Sequence, residues 1–222
     1  MEKKFELTDK FVFNTFGIKL FQIKCTKSFK YAKEGDLGGY VEKDENLDQE
    51  SNAWVYGDAW VYGNARVSGD ARVYGDARVS GDARVYGDAW VSGDARVFGD
   101  ARVYGDAWVY GDARVYGNAR VSGDARVYGN ARVSGDARVY GDADIENDNN
   151  HCGFDCFGSC NRHTHAYLTK DNKVEITCGC FRGSIEEFEK KVEKTHSGTI
   201  YEKQYKAIIN VIKIKFGLTD LI

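Results

Sequence analysis

The chain has 222 residues, 42% of them apolar, with 31 basic and 34 acidic side chains, a formal net charge of -3, six cysteines and no proline. Charge is even along it: residues 1–51 carry 9 basic and 10 acidic groups, residues 52–141 carry 11 and 11, and the remainder 11 and 13. With no basic excess anywhere, a nucleic-acid partner is not expected; with no apolar run of signal-peptide or transmembrane length, a cytoplasmic setting without a membrane partner is expected. In that compartment six cysteines read as reduced thiols or metal ligands rather than disulfides.

Residues 1–51 read as a capping region. Phe11-Val12-Phe13 and Ile18 to Cys25 predict two strands joined around Asn14-Thr15-Phe16-Gly17, a β-hairpin suited to covering a solenoid end. Gly35 to Glu42 follows with a Gly38-Gly39 pair, and hexad register can be carried back in degraded form through Asn46 to Ser51. Atypical terminal repeats are what capping requires. A phosphate cradle at the paired glycines is disfavoured, because no Lys-Ser or Lys-Thr pair and no helical pattern follow.

From Asn52 to Gly141 run fifteen uninterrupted hexads of the form [Asp/Asn]-Ala-[Arg/Trp]-Val-[Tyr/Ser/Phe]-Gly. Strand geometry turns Ala and Val to one face and Arg or Trp and Tyr to the other, while Gly followed by Asp or Asn makes a corner. Burying one Val contributes roughly 1.5 to 3 kcal/mol, whereas ordering six backbones costs on the order of 6 to 12 kcal/mol. A lone hexad therefore cannot fold, and the repeat must stack on its neighbours. Each Asp neighbours an Arg, so a solvated lattice of ion pairs is expected on the surface.

The repeat resembles the hexapeptide family of left-handed parallel β-helices. That resemblance implies three hexads per turn, an 18-residue period, and about five turns spanning roughly 24 Å at the usual strand spacing. It would place Trp54, Trp90 and Trp108 on one face with Arg72 and Arg126, and stack Arg66, Arg84, Arg102, Arg120 and Arg138 in a column on another. The three tryptophans form a candidate surface aromatic ladder for a sugar, a base or a protein; the competing reading is that they shield a narrow core. The acyltransferases and carbonic-anhydrase-like enzymes of that family need a histidine on or between the coils. The hexads contain none.

The solenoid is expected to end near Asn147, and Asp148-Asn149-Asn150 reads as a linker into a tail, residues 148–222. Cys152, Cys156, Cys160 and His163 offer soft ligands for a tetrahedral zinc site, with Cys178 and Cys180 across a hairpin; core or free thiols are the alternative. The hairpin is predicted over Thr164 to Thr169 and Val174 to Phe181. Ser184 with Glu187 and Thr199 with Glu202 read as capping boxes opening two helices, so the tail is a small ββαα domain. The apolar stripe around Ile208, Ile209 and Ile212 is wide enough to predict a homo-oligomer, a trimer, through the helix from Ile200 to Phe216.

The three parts together resemble uncharacterised phage and prophage proteins that join a Gly-Asp-Leu-Gly-Gly-Tyr head, here Gly35 to Tyr40, to such hexads and to a Cys-Gly-Cys-Phe-x-Gly tail, here Cys178 to Gly183, followed by Glu186 to Phe188. The resemblance implies a phage origin and this layout, and brings no catalytic residues; the first reading is a non-enzymatic phage-type binding or scaffold protein in the host cytosol, with the solenoid as a rigid spacer and the tail as the contact domain. A second reading is a counter-defence protein that occludes a host immune enzyme or sequesters a nucleotide-like signal, using Arg162, His163, His165 and Arg182 as ligand-binding residues. A third is an acyltransferase-like enzyme with a displaced site.

Overall fold

The computed structural model describes residues 2–218. Every hexad contributes one two-residue strand and one corner, and the strands assemble into three parallel sheets that wrap a single axis. Register follows the 18-residue period: Trp54 pairs with Arg72, Arg72 with Trp90, Trp90 with Trp108 and Trp108 with Arg126. On another face Arg66, Arg84, Arg102, Arg120 and Arg138 follow one another in an unbroken column. Successive rungs are joined by paired backbone bonds, such as Arg72 N–H to Ala89 O at 2.9 Å and Tyr74 N–H to Val91 O at 3.0 Å.

The core is made of the alanines and valines of the repeat, all buried. Ala and Val are the residues that fit, because three faces meet around a narrow axis and a longer side chain would collide across it. The corners are just as restrictive. Gly69 has φ +69°, and a Cβ there would lie 2.8 Å from the backbone nitrogen of Gly87 one turn on. The corner thus demands glycine twice, for its dihedral and for the stacking distance.

The solenoid has about six turns rather than five, because the flanks join its ladders. Tyr40-Val41 pairs in parallel with Trp60-Val61, Leu47 bridges to Val67, and Asp144-Ile145 pairs with Arg126-Val127. The expected ion-pair lattice does not form: among the described residues, the one hexad carboxylate paired with a cation is Asp70, held by Lys30 from outside the hexads, and just past the last hexad Asp142 pairs with Lys170. Hexad arginines lie on aromatic faces instead, Arg72 over Trp90 at 3.8 Å and Arg78 over Trp60 at 4.5 Å. Corner asparagines relieve the stacked carboxylates, with Asn52 donating to Asp70 at 2.8 Å and Asn118 to Asp136 at 3.0 Å.

At the N-terminal end, β1 (Phe5–Phe13) and β2 (Lys19–Cys25) form the expected hairpin, its turn closed by Asn14 Oδ1, which accepts from the backbone N–H of Phe16 and Ile18. β3 (Leu37–Val41) pairs antiparallel with β2 on one side and parallel with the solenoid on the other, so the hairpin extends a solenoid sheet. The paired glycines are a packing device: a Cβ on Gly38 would lie 2.6 Å from both Ile23 and the carbonyl of Val55. Lys4 closes the end of the coil by donating to the carbonyls of Ser51 and Ala53, both at 2.8 Å, and burial pushes its ammonium pKa down to about 8.

The tail is larger than the expected ββαα unit. The hairpin predicted over Thr164 to Thr169 and Val174 to Phe181 forms as Arg162–Leu168 with Val174–Cys178, in the middle of a four-stranded antiparallel sheet flanked by His151–Phe157 and by Phe181–Ser184. Helices α1 (Ile185–His196) and α2 (Ile200–Lys215) cover one face of it. Ser184 and Glu187 make the full capping box; at Thr199 only half forms, because the Glu202 carboxylate takes the N–H of Gly198 instead. The residues between solenoid and tail are a built turn rather than a loose linker. Asn150 Oδ1 accepts from Glu146 and Asn147, and Asp148 Oδ1 caps the N–H of Arg132. No helix is long and apolar enough to cross a membrane among the described residues.

Candidate functional site at the junction of solenoid and tail

Alternation along the tail strands sorts their side chains into two faces. Cys152 stands opposite Ala166, which stands opposite Ile176, and Phe154 opposite Thr164, which stands opposite Cys178. This set packs on α1 and α2. The other set, His151, His163, His165, Tyr167 and Thr177, faces the last turn of the solenoid. There Tyr167 joins the solenoid core, and Thr177 Oγ1 donates to the carbonyl of Arg138 at 3.0 Å.

That sorting separates the residues expected to hold zinc. Cys152 is on the helix side, where burial pushes its thiol pKa up to about 11, away from the thiolate a metal requires. His163 is on the solenoid side with Nδ1 at 2.6 Å from Asp155 Oδ1. Cys156 has φ +63° at a break in strand register, and both it and Cys160 are exposed. No group of three histidine, cysteine or carboxylate side chains in a metal-holding arrangement occurs among the described residues.

The structure instead opens a cleft of about 490 Å³ between the last turn and the tail, lined by Asp136, Arg138, Asn161, Arg162, His163, Gly179 and Cys180. Two guanidiniums meet there around the Cys178-Gly179-Cys180 turn. Arg138 Nη1 donates to the carbonyl of Gly179 at 2.6 Å, and Arg162 lies so close that a Cβ on Gly179 would be 2.5 Å from its Nη1. Glycine at this turn, with φ +61°, is what lets Arg162 fold across it. Of the candidate ligand residues, Arg162 and His163 line this cleft. His165 is 1% exposed behind His163, and Arg182 is held away in an ion pair with Glu175, which also accepts from the Tyr167 hydroxyl at 2.6 Å.

The residues missed are Asp136, Arg138 and Asn161, and Cys180 was marked only as a possible metal ligand or core thiol. Arg138 was visible as the last member of the arginine column, but nothing in the repeat marked it as the one facing the tail. A smaller cavity of about 230 Å³ on the helix side, bordered by Cys160, Cys178, Phe188, His196 and Tyr205, is mostly apolar. Burial and the nearby Cys178 thiol push the Tyr205 pKa up to about 12.

The aromatic ladder is corrected in one member. Trp54 is 1% exposed, covered edge-on by Phe5 and Phe29 of the N-terminal cap. Trp90 and Trp108 do stack, with centroids 4.7 Å apart and planes within 5°. That separation leaves no room for an inserted ring, and Arg72 and Arg126 occupy the outer ring faces. The ladder therefore spends its stacking surface on itself and offers solvent mainly ring edges.

The family model of the YdcK β-solenoid repeat matches the chain in seven segments: residues 59–75, 65–81, 77–93, 95–111, 113–129, 125–141 and 131–145. These matches support a repeat β-solenoid protein and reach neither the N-terminal hairpin nor the tail sheet. Among curated proteins nothing matches. The chain is a repeat β-solenoid protein, closed at one end by a hairpin and at the other by a sheet-and-helix tail.

Proposed function

We propose that this protein is a non-enzymatic binding protein of phage type, in which the solenoid is a rigid support and the junction cleft takes an anionic group. The observation that carries the reading is the convergence of Arg138 and Arg162 on one cleft, with no carboxylate in an ion pair with either among the described residues. Guanidiniums without a carboxylate partner are suited to phosphate or carboxylate ligands. Asp136 in the lining disfavours a second anion in the cleft, so the ligand is a small anionic group or the anionic end of a larger partner. A binding role fits better than catalysis because His163 Nε2, the nitrogen a general base would use, is enclosed and has no hydrogen-bond partner.

The test is calorimetric titration of the full chain with inorganic phosphate, pyrophosphate and a nucleoside triphosphate, and of the Arg162→Ala variant with whichever binds best. Loss of one charge-assisted contact should weaken binding about tenfold or more. Saturation unaffected by the substitution would place the ligand elsewhere, and no binding of any of the three would remove the reading.

Counter-defence by sequestering a nucleotide-like signal, or by occluding a host enzyme in the host cytosol, is the form of this reading favoured by two arginines beside a cleft of nucleotide size. Self-association, as the expected trimer, needs a different contact from the one first drawn. Ile208, Ile209 and Ile212 are buried in the tail's own core, whereas Ile200, Val211 and Ile214 form a second, exposed stripe on α2.

A further inference from the structure

The outer column on one solenoid face runs Asp48, Ser68, Tyr86, Tyr104, Ser122 and Tyr140. The same backbone bond sets each one rung on from the last: Asp48 N–H to Val67 O, Ser68 N–H to Val85 O, Tyr86 N–H to Val103 O, and so on. Tyr86 and Tyr104 stack with centroids 5.0 Å apart and planes within 2°. Serine twice takes the place of tyrosine in this column, and the two gaps differ. At Ser122 the gap is shut: the serine is 7% exposed, and Tyr104 and Tyr140 on either side are close enough for their hydroxyls to interact. At Ser68 the gap is open, because the neighbour on its other side is Asp48, which has no ring to lean across it. A cleft of about 320 Å³ results, lined by Arg66, Ser68, Arg84, Tyr86 and Arg102.

Three guanidiniums from successive rungs thus border a notch that has a tyrosine for one wall and no carboxylate in its lining. Elsewhere on the solenoid Arg72, Arg78 and Arg126 lie on aromatic faces. Among the described residues, Arg66, Arg84 and Arg102 have neither that contact nor an ion pair with a carboxylate. The corner carboxylate two positions before Arg84, Asp82, accepts from Asn64 instead, at 3.1 Å. Like charges on successive rungs repel, and an anion between them relieves that repulsion while gaining charge-assisted hydrogen bonds. A second cleft, of about 450 Å³, shares Arg66 and Ser68 with the notch and is bordered on its far side by Glu45 and Asp48. The combined groove has a cationic end with an aromatic wall and a carboxylate end that accepts hydrogen bonds.

We infer that this notch is a nucleotide site. A planar base takes the ring position that Ser68 leaves open and stacks on the face of Tyr86 turned away from Tyr104. Its phosphate lies toward Arg84 and Arg102, and its amino edge faces Glu45 and Asp48. Stacking selects for a flat ring and the guanidiniums select for the anion, so neither half of the ligand alone satisfies both ends. The ladder of Trp90 and Trp108 offers no such place, since Arg72 and Arg126 cover its outer ring faces. The notch shares no residue with the junction cleft and stands whether or not that cleft binds an anion.

Calorimetric titration of the full chain with adenosine monophosphate, with adenosine and with ribose phosphate tests the site, repeated with the nucleotide on two variants. Ser68→Tyr puts into the gap the residue that the next two rungs carry, so it fills the notch without touching the core. Arg84→Ala removes the middle guanidinium and makes the same test if the first variant folds poorly. The expected result is saturable binding of adenosine monophosphate, weaker by about tenfold or more for adenosine and for ribose phosphate, and weaker by about tenfold or more in each variant. Loss of the nucleotide in Ser68→Tyr with pyrophosphate binding retained would support the notch and leave the junction cleft to the Arg162→Ala test. No binding of adenosine monophosphate, binding unchanged in both solenoid variants, binding lost in Arg162→Ala alone, or ribose phosphate bound as tightly as the nucleotide would each overturn the proposal.

Discussion

The two ends of this solenoid are closed by opposite means. At the N-terminal end the cap extends the solenoid: β3 continues a parallel sheet, and Phe5, Ile23 and Cys25 belong to the same buried cluster as the hexad alanines and valines. At the C-terminal end the tail has its own core, built on Ile176, Phe188, Ile209 and Ile212, and meets the last turn through Tyr167 and a set of polar contacts. Stability in a stacked repeat passes from neighbour to neighbour through shared core and ladder. The first cap is therefore expected to unfold with the hexads and the second to unfold apart from them.

Lesions of similar size at the two ends should separate them most strongly. Trp54→Ala removes the largest fully buried side chain and is expected to cost about 3 to 5 kcal/mol, lowering the urea midpoint of the hexads along with the cap. Phe188→Ala is expected to cost about 3 to 5 kcal/mol as well, but to the tail alone, leaving a distinct hexad transition in place. A single transition in the second variant would mean the tail shares the solenoid's cooperativity.

Corner glycines sharpen the comparison within the solenoid. Gly69→Ala meets both the positive φ and the backbone of Gly87, whereas Gly135, with φ +63°, has nothing within 4 Å of its Cβ position. Gly135→Ala should cost about 1 to 2 kcal/mol for the left-handed dihedral alone, and Gly69→Ala measurably more. Equal losses in thermal unfolding would show that stacking distance adds nothing at the corners.

A change at the seat of the tail itself completes the comparison. Tyr167→Phe removes the hydroxyl that donates to Glu175 at 2.6 Å and lies 3.3 Å from the N–H of Tyr140. It should destabilise the tail by about 1 to 3 kcal/mol without moving the hexad transition.

The repeat was legible because strand alternation turns its alanines and valines inward and a corner follows each strand, while the three sheets and the arginine column from Arg66 to Arg138 came from the resemblance to hexapeptide β-helices. What lay outside the period was harder to read. Trp54 obeys the repeat, yet Phe5 and Phe29 bury it, a contact that spacing within the hexads cannot show. His151 to Phe157 carries glycine and cysteine where a strand usually carries branched residues, so the strand and the face it turns to the solenoid were missed. The register break near Cys156 then scatters the thiols that spacing had grouped. Arg138 and Arg162 are 24 positions apart, and only the way the tail folds back brings them to one cleft.

Native-state hydrogen exchange of the full chain in increasing urea, read peptide by peptide, tests the asymmetry of the two ends most directly. The expected result is that residues 5–25 and the hexads exchange with one common opening free energy while residues 151–212 exchange with a lower one, in a unit of their own. Joint exchange of the tail with the hexads, or an N-terminal hairpin that opens before either, would contradict it.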